Sequence, residues 1–372
     1  MRRQTHLISL LGTILCVLLN TFTGYAQKNL SIGGNVVDAK GAPLKSATVF
    51  LSGTERFTMA DEDGKFIFNN ITSGTHQLSV TMMGYMPFAQ NIIITNQPSY
   101  LSVPLKIKPI ALAEVTIGGK NKFDANFKLF REVFLGTSDN AKACVILNPS
   151  VINFTTKNDI LIADADDFLV IENKPLGYRI RYMLKNFGYN KTTDIVLYEG
   201  ETSFEQLPGT DKMKKEWASN RLKTYKGSVM HFLRSVYRNR VSQEGFIVNK
   251  LYNKFFVPAG KKSVPMVAID LRPIKFDTLV NIIDDSLVSF KFSPLYVVYN
   301  PARAGTSPLK STLPVRKSIE YNGNESSTVK LFLSKAIIDS RGSHSDYRDF
   351  FIEGNLAQKR VGDQLPFEYQ PN

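Results

Sequence analysis

Short runs of alternating apolar and polar residues occupy the chain between positions 30 and 105, separated by clusters of turn-forming residues. Apolar side chains at every second position put one face of a strand against a core and the other in solvent. The turn clusters recur about every 8–12 residues, which is the spacing of small β-sandwiches. Gly41 closes the first cluster, where a glycine can take a positive φ angle. The pattern predicts a small antiparallel β-sandwich over residues 27–108.

The periodicity changes to that of helices in two later segments. Four phenylalanines are spaced for one face of a helix that ends at Gly136, namely Phe123, Phe127, Phe130 and Phe134. Residues 211–239 predict two more helices, which part at Gly227, with Ser228 as the N-cap of the second.

Most of the remaining second half consists of short apolar runs bounded by Asn, Gly and Pro. The predicted strands are 151–154, 160–162, 168–171, 178–184, 195–198, 246–251, 264–271, 287–292, 295–299, 328–333 and 349–353. Together with helices near 123–135 and 211–239, they predict a larger antiparallel β-rich α+β domain over 123–372, with a helical insertion and with 109–122 as a linker. The predicted fold class is mainly β.

The first 26 residues have the features of a secretory signal peptide. Arg2 and Arg3 give a positive start, an apolar run covers residues 7–19, and small residues precede a cleavage site between Ala26 and Gln27. We expect this segment to be removed and the mature protein to be exported.

Export limits the partners of the mature chain. No run of about 18 apolar residues follows the signal, so we expect no membrane-spanning helix, although peripheral association remains open. A lipid anchor at Cys16 is the alternative to cleavage, but Cys16 lies inside the apolar run. The net charge is +13 and is spread along the chain. Export argues against nucleic acid as a partner and leaves an anionic envelope surface or a solvated basic face.

Cys144 is the one cysteine that follows the signal segment. It stands between small and apolar residues, and such a cysteine is usually buried and inert. We therefore expect a buried free thiol.

A series of positions between 34 and 85 falls in the order and spacing of a known family. These are Gly34, Val36, Asp38, Gly41, Pro43, Leu44, Ala47, Val49, Leu51, Gly53, Thr54, Thr58, Asp61, Asp63, Gly64, Phe66, Gly74, Gly84 and Tyr85. In this pattern the chain resembles the carboxypeptidase regulatory-like domain over residues 30–107. The resemblance implies a transthyretin-like β-sandwich. It also implies the periplasm or the outer-membrane surface, since this domain is abundant in secreted and outer-membrane proteins of Bacteroidota.

Two further segments are similar to parts of exported proteins. Residues 109–119 look like the tail that joins this domain to the plug of TonB-dependent transporters, which implies a shared compartment. The second half is similar to the companion region of uncharacterised secreted Bacteroidota proteins, a resemblance that implies no activity. The residues that carry it are 134–136, 171–173, 176–178, Trp217, Arg221, Tyr225, Gly227, Ser228, His231, Phe232 and 360–366.

The motifs of common enzymes are absent from the sequence. Zinc carboxypeptidases need a His-x-x-Glu pair, but none of the four histidines has a Glu three positions later. No Gly-x-Ser-x-Gly elbow, phosphate loop or dinucleotide motif occurs. Asp61 and Asp63 alternate as in a calcium loop, but Lys65 stands where the next ligand belongs, which favours a tight turn. Ser228 and His231 lie one helical turn apart, where capping explains the serine. We expect no catalytic residue, metal or cofactor.

The densest acidic cluster is Asp164, Asp166 and Asp167, between two predicted strands. Paired carboxylates carry glycoside hydrolysis, and their spacing is set by the fold rather than by the sequence. A solvated loop is the other interpretation, and we expect it here.

Trp217, Arg221 and Tyr225 are four positions apart and therefore share one stripe of a helix. Aromatic rings beside a guanidinium suit sugar or carboxylate binding. The same side chains could instead pin the helix onto the sheet, and we expect this structural role.

The sequence favours a non-enzymatic binding or adaptor protein of the cell envelope, whose second domain binds a partner protein or a glycan. The alternative is a carboxylate-based glycan hydrolase with its site in residues 123–372. A third hypothesis is an accessory protein of a TonB-dependent uptake system.

Overall fold

The computed structural model describes residues 30–109, 119–260, 262–272, 274–305, 315–346 and 348–371. The predicted signal peptide, its cleavage site at Ala26 and Gln27, and most of the predicted linker lie outside these residues. Within them, no helix combines the length and the apolar character that crossing a membrane requires.

The protein is mainly β, as predicted. Its strands are β1 Ile32–Val37, β2 Thr48–Leu51, β3 Phe57–Met59, β4 Lys65–Phe68, β5 Gly74–Thr81, β6 Phe88–Ile94, β7 Ser99–Pro104, β8 Val145–Ile146, β9 Ile152–Lys157, β10 Ile160–Ala165, β11 Leu169–Asn173, β12 Tyr178–Asn190, β13 Ile195–Gln206, β14 Phe246–Ala259, β15 Lys262–Asp270, β16 Val280–Ile282, β17 Leu287–Phe290, β18 Leu295–Tyr299, β19 Arg316–Glu320, β20 Ser326–Leu331, β21 Ala336–Asp339 and β22 Phe350–Gly354. The α-helices are α1 Gly119–Leu135, α2 Asp139–Ala143, α3 Asp211–Tyr225, α4 Val229–Tyr237 and α5 Asn355–Gln358. Short 3-10 turns cover Pro149–Val151, Phe276–Thr278, Pro301–Arg303 and Val361–Asp363.

Strands β1–β7 form the predicted N-terminal sandwich. Its two sheets have the orders β4-β1-β7 and β3-β2-β5-β6, and fully buried side chains such as Ile32, Val49 and Leu78 fill the space between them. One pair departs from the predicted antiparallel arrangement, because β1 and β7 run parallel. A parallel pair needs a long crossover, and here the second sheet, which lies between β1 and β7 in the chain, supplies it.

Strands β8–β13 form a sheet built around the long hairpin of β12 and β13. β13 lies along one side of β12, and β11 and β10 pair with successive parts of the other side. Helix α1 covers the inner face, where the ring centroids of Phe130 and Phe134 lie 4.8 Å apart. Phe134 also meets Tyr182 of β12 edge to face. The phenylalanine spacing in the sequence predicted this apolar helix face.

Strands β14–β22 build a further core with helix α4. A six-stranded sheet of order β19-β15-β14-β18-β20-β22 lies beside a three-stranded sheet, β16-β17-β21. Phe232 and Val236 of α4 pack in this core against Phe246 and Phe290. The hydroxyl of Ser228 accepts a hydrogen bond from the backbone N–H of His231 at the start of α4, which confirms the predicted N-cap.

The C-terminal segment, residues 359–371, is held against α4 by one buried arginine. Arg234 of α4 is 1% exposed. Its guanidinium donates to three backbone carbonyls, those of Arg341 at 2.8 Å, Tyr369 at 2.8 Å and Phe367 at 3.2 Å. The Phe367 N–H in turn donates to the carbonyl of Gly53 in the sandwich, at 2.8 Å. Arg234 therefore connects α4, the turn after β21 and the C-terminal segment.

A polar seam joins the sandwich to the turn after β21. The buried carboxylate of Asp339 accepts hydrogen bonds from the Thr75 N–H at 3.0 Å and from Arg341 Nη2 at 2.8 Å. Arg341 also donates to the Thr75 carbonyl and, at 3.2 Å, contacts Nδ1 of His76. His76 Nε2 lies 2.8 Å from the Thr72 carbonyl and must donate to it, so Nδ1 is the unprotonated nitrogen that accepts from Arg341.

We predict that Arg234→Met lowers the free energy of unfolding by about 3 kcal/mol or more, since it leaves three partly buried carbonyls without their donor. Urea denaturation measures the change. Arg238→Met is the matched control, because Arg238 is exposed at the end of the same helix. Equal losses in the two variants would contradict the bridging role of Arg234.

The seam also predicts a pH dependence of stability. The pKa of His76 is lowered to about 4, chiefly because burial disfavours the charged ring and also because Arg341 repels it. The neutral ring therefore stabilises the fold fully above the unfolded-state pKa of about 6.5, and this contribution of about 3 kcal/mol is lost as the pH falls from 6.5 towards 4. Urea unfolding of the wild type and of His76→Gln at pH 7.5, 6 and 4.5 should show a steeper acid loss in the wild type. Parallel curves would contradict the prediction.

Candidate functional site

Two connected cavities lie where the sandwich and the two later sheet systems meet. An outer cleft of about 1370 Å³ opens between the β8–β13 sheet and strands β20 and β22. An inner cavity of about 510 Å³ lies between the β8–β13 sheet and the sandwich. The two share the wall residues Tyr198, Glu199, Val229, His344 and Lys359.

An ionic group lies on the wall that β12 and β13 form. Glu199 and Glu201 are two residues apart on β13 and so project from the same face of the sheet. The register of the hairpin shifts at Lys185, and such a bulge re-aims a side chain. Lys185 Nζ lies 2.6 Å from Glu201 Oε1 and 3.5 Å from Glu199 Oε1. Glu201 is only 2% exposed, so its carboxylate is a fixed charge that holds Lys185 in place.

Exposed apolar side chains line the outer cleft from two different sheets. Ile162, Ile195 and Leu197 come from β10 and β13, and Phe332 and Phe351 come from the region of β20 and β22. Leu197 is 68% exposed and Phe332 is 72% exposed. Exposed apolar side chains that gather around a concave surface commonly mark a ligand-binding groove.

A second ion pair stands on the wall opposite β13. Lys254 Nζ lies 3.4 Å from Glu353 Oε1 and 4.4 Å from the centroid of the Tyr321 ring. Thr328 donates its hydroxyl to the other oxygen of Glu353, at 2.9 Å. Burial raises the pKa of Tyr321 to about 12, so this phenol stays neutral.

Lys359 lies on the wall that the two cavities share. Its ammonium donates to the carbonyls of Thr224 and Lys226 at the C-terminal end of α3, at 2.7 and 2.6 Å. Burial lowers the pKa of Lys359 to about 8, against an opposing effect of the Asp363 charge. A cation at the negative end of a helix is favourable, and this position caps α3.

The N-terminal part of the chain matches a known domain family. Residues 32–117 match the sequence model of the CarboxypepD_reg-like domain. This is the sandwich of β1–β7, and the resemblance seen in the sequence is confirmed for that part of the chain. No curated protein matches the chain in sequence.

Several solved structures match part of the chain at low similarity. A Streptococcal ancillary pilin is 13% identical, with 23% of this chain and 34% of the pilin covered and a TM-score of 0.20. The Bacillus anthracis TIE protein is 11% identical over 49% of this chain and 32% of its own, with a TM-score of 0.20. A candidate carbohydrate binding protein from Bacteroides uniformis is 10% identical over 48% and 79%, with a TM-score of 0.18. The chain thus spans about a third of the pilin, and likenesses this distant carry no argument about function.

Two of the three residues of the predicted acidic cluster share one partner, Asn153, and the third does not. Asp164 lies within β10, not in the loop predicted for it, because it pairs with Asn153 of β9 on the solvent face. Asn153 donates to Asp164 at 3.2 Å and to Asp166 at 3.1 Å, and this bond is the main reason that the pKa of Asp166 is lowered. Lys108, in the CarboxypepD_reg-like domain, pairs with Asp166 at 3.3 Å. Asp167 instead accepts the N–H of the next residue. Of the three, only Asp164 lines the outer cleft.

The side chains of Trp217, Arg221 and Tyr225 are occupied by contacts within the fold. The indole of Trp217 covers Gly177, where an added Cβ would collide with it. Arg221 donates its Nε to the Leu176 carbonyl at 2.7 Å. Tyr225 is buried against a tyrosine of the C-terminal segment. None of the three lines either cavity, and their contacts are those of an anchor for α3.

Apart from Asp164, the residues that line the cavities were missed by sequence reasoning. The alternation of Ile195, Leu197, Glu199 and Glu201 was visible as a strand with one mixed face, but nothing local showed what that face meets. Among the residues that the structure describes, no three or more His, Cys, Asp or Glu side chains are placed to hold a metal ion. Cys144 is buried with a free thiol, and burial raises its pKa to about 12.

We predict that Lys185→Met costs about 2 kcal/mol or more of unfolding free energy, since it strands the buried Glu201 carboxylate. The double variant with Glu201→Met should recover most of this loss, giving a positive coupling energy in a double-mutant cycle measured by urea denaturation. Lys65→Met is the matched control. Its partner Asp63 is exposed, so the loss of this surface pair should change the stability little. A Lys185→Met variant as stable as the control would contradict the prediction.

Proposed function

We propose that the protein is an exported, non-enzymatic binding protein of the cell envelope, which binds a glycan in the outer cleft. The CarboxypepD_reg-like domain serves as the adaptor module that closes the inner end of the binding site. Residues 1–26, which have signal-peptide features, and the family of the sandwich support the periplasm or the outer-membrane surface as its location.

The observation that carries this proposal is the combination of side chains around the outer cleft. Phe332 and Phe351 on one side and Leu197 on the other present exposed apolar surface across the opening. Lys185 and Glu199 follow on the same wall as Leu197, already paired and held in place. Sugar rings carry apolar C–H faces and a belt of hydroxyls, which need apolar surface and fixed charged hydrogen-bonding groups side by side.

The size of the outer cleft favours an extended ligand. Pockets for single small ligands measure about 300–1,000 Å³, and the outer cleft reaches about 1370 Å³ and is open at the surface. We therefore expect several linked sugar units rather than a free monosaccharide.

The placement of the acids favours binding over hydrolysis. A glycosidase has two carboxyl groups on opposite sides of the bond that it cleaves. Glu199 and Glu201 instead lie two residues apart on one strand and share one lysine. Glu353, on the opposite wall, is paired with Lys254 and Thr328.

We predict that Phe332→Ala lowers the affinity for a bound oligosaccharide about tenfold, the loss expected when one well-placed aromatic contact is removed. An array of neutral and acidic soluble oligosaccharides, including cellohexaose, xylohexaose, mannohexaose and hexagalacturonate, identifies the ligand, and titration calorimetry measures the affinity. Phe256→Ala is the matched control, because Phe256 is as exposed as Phe332 but lies on β14 outside the cleft.

Two results would overturn the proposal. The first is that no oligosaccharide of the array binds to the protein. The second is that Phe256→Ala lowers the affinity for the ligand as much as Phe332→Ala does. Release of new reducing ends from a bound oligosaccharide would replace the binding function by the hydrolase alternative.

A further inference from the structure

The two lysines that face the cavities from the sheet and from the C-terminal segment differ in their counter-ions. Lys185 has two carboxylates within 3.5 Å. Lys359 has no carboxylate within 4 Å among the described residues, and its hydrogen bonds go to two backbone carbonyls. An ammonium group has three donors, so Lys359 keeps one donor for another partner, and the charge of Asp363 acts on it without a direct contact.

The place of Lys359 in the fold makes this charge accessible to a ligand. Its side chain lines both the outer cleft and the inner cavity, at their junction. Arg234 is also a buried cation without a nearby carboxylate, but its guanidinium is used by three carbonyls and it lines neither cavity. Arg360 also lines the outer cleft, where its guanidinium donates to the Val133 carbonyl, but among the described residues Lys359 is the one cation on the wall that both cavities share.

We propose that Lys359 forms an anionic subsite at the junction of the two cavities, which binds a carboxylate, sulfate or phosphate group of the glycan ligand. The inference rests on the proposed glycan-binding function and names the class of its ligand, an acidic oligosaccharide. The ammonium, held by the end of α3, donates its third N–H to an oxygen of the acid. Partly buried cations cost solvation energy that an acidic ligand offsets, and a charge-assisted hydrogen bond is stronger than a neutral one.

The probes for the test are hexagalacturonate and its fully methyl-esterified form, which share one carbon skeleton and differ in charge. Titration calorimetry on the full chain should show that the wild type prefers the acid about tenfold, as one charge-assisted hydrogen bond provides. Lys359→Gln should remove this preference and leave the affinity for the ester unchanged. Lys254→Gln is the matched control, since Lys254 lines the outer cleft but already has Glu353 as its partner.

A pH titration of the wild type tests the subsite even where Lys359→Gln is poorly folded. The pKa of Lys359 is about 8 in the free protein, so above pH 8 an anionic ligand must restore the lost proton. Its affinity should therefore fall between pH 7.5 and 9.5, while that of a neutral oligosaccharide from the array stays level, since alkaline pH would hydrolyse the ester to the acid. The other titratable groups around Lys359 are Asp363, His231, His344, Glu199 and Tyr198, and burial raises the pKa of Tyr198 above its usual value of about 10. Carboxyl and imidazole groups ordinarily change charge below pH 7, outside this window.

The outcomes separate the subsite from the function on which it rests. Equal affinities for acid and ester, or a preference that survives in Lys359→Gln, remove the subsite and leave glycan binding standing. The subsite is also overturned, and glycan binding left standing, when neither probe binds but neutral oligosaccharides of the array do. An array without any bound oligosaccharide removes the binding function, and the subsite with it. A preference that also disappears in Lys254→Gln shows a general charge effect and overturns the role of Lys359.

Discussion

The relative placement of the parts of this protein depends on one buried cation. The Arg234 guanidinium is solvated by carbonyls from the turn after β21 and from the C-terminal segment, not by a carboxylate. A carbonyl oxygen accepts a hydrogen bond only from a limited range of directions. The helix α4, the turn after β21 and the C-terminal segment must therefore all keep their positions for the guanidinium to keep its three acceptors. The C-terminal segment then carries Phe367 onto Gly53. A single side chain thereby links α4 to the CarboxypepD_reg-like domain.

The cavities follow from the polar character of the contacts between the parts. The sandwich meets the β8–β13 sheet through backbone hydrogen bonds from Gly53 to Thr202 and from Phe204 to Thr54, and through one edge-to-face contact, that of Phe50 with Phe168. It meets the turn after β21 through Thr75 and the Asp339–Arg341 pair. Hydrogen bonds at a few points fix the distance and the orientation between two parts of the protein. Two apolar surfaces would instead pack together until no cavity remained between them. The parts are therefore fixed next to each other with a gap between them, and charged side chains can occupy its walls.

Sequence reasoning found the elements whose signals are local and missed those whose partners are distant. The sandwich and the face of α1 follow from periodicities of two and 3.6, and Ser228 from the chemistry of helix caps. β14 extends to Ala259, well beyond the predicted residue 251, because its pairing with β15 continues after the apolar pattern fades. The bulge at Lys185 has no local sequence signal. Arg234 and Lys359 read as ordinary surface cations, since their carbonyl partners lie more than 100 residues away in the chain.

The contrast between the three buried or half-buried cations separates the needs of the fold from those of a ligand site. Arg234 donates to three carbonyls, and Lys185 lies within 3.5 Å of two carboxylates, so each has its partners within the chain. Lys359 caps α3 with two donors, and an asparagine or glutamine amide could serve that end of the helix without the cost of burying a charge. A fold under selection for stability alone gains little from a charged group at this place. Its third donor, at the junction of the two cavities and without a carboxylate within 4 Å among the described residues, is explained by a ligand that carries a negative charge.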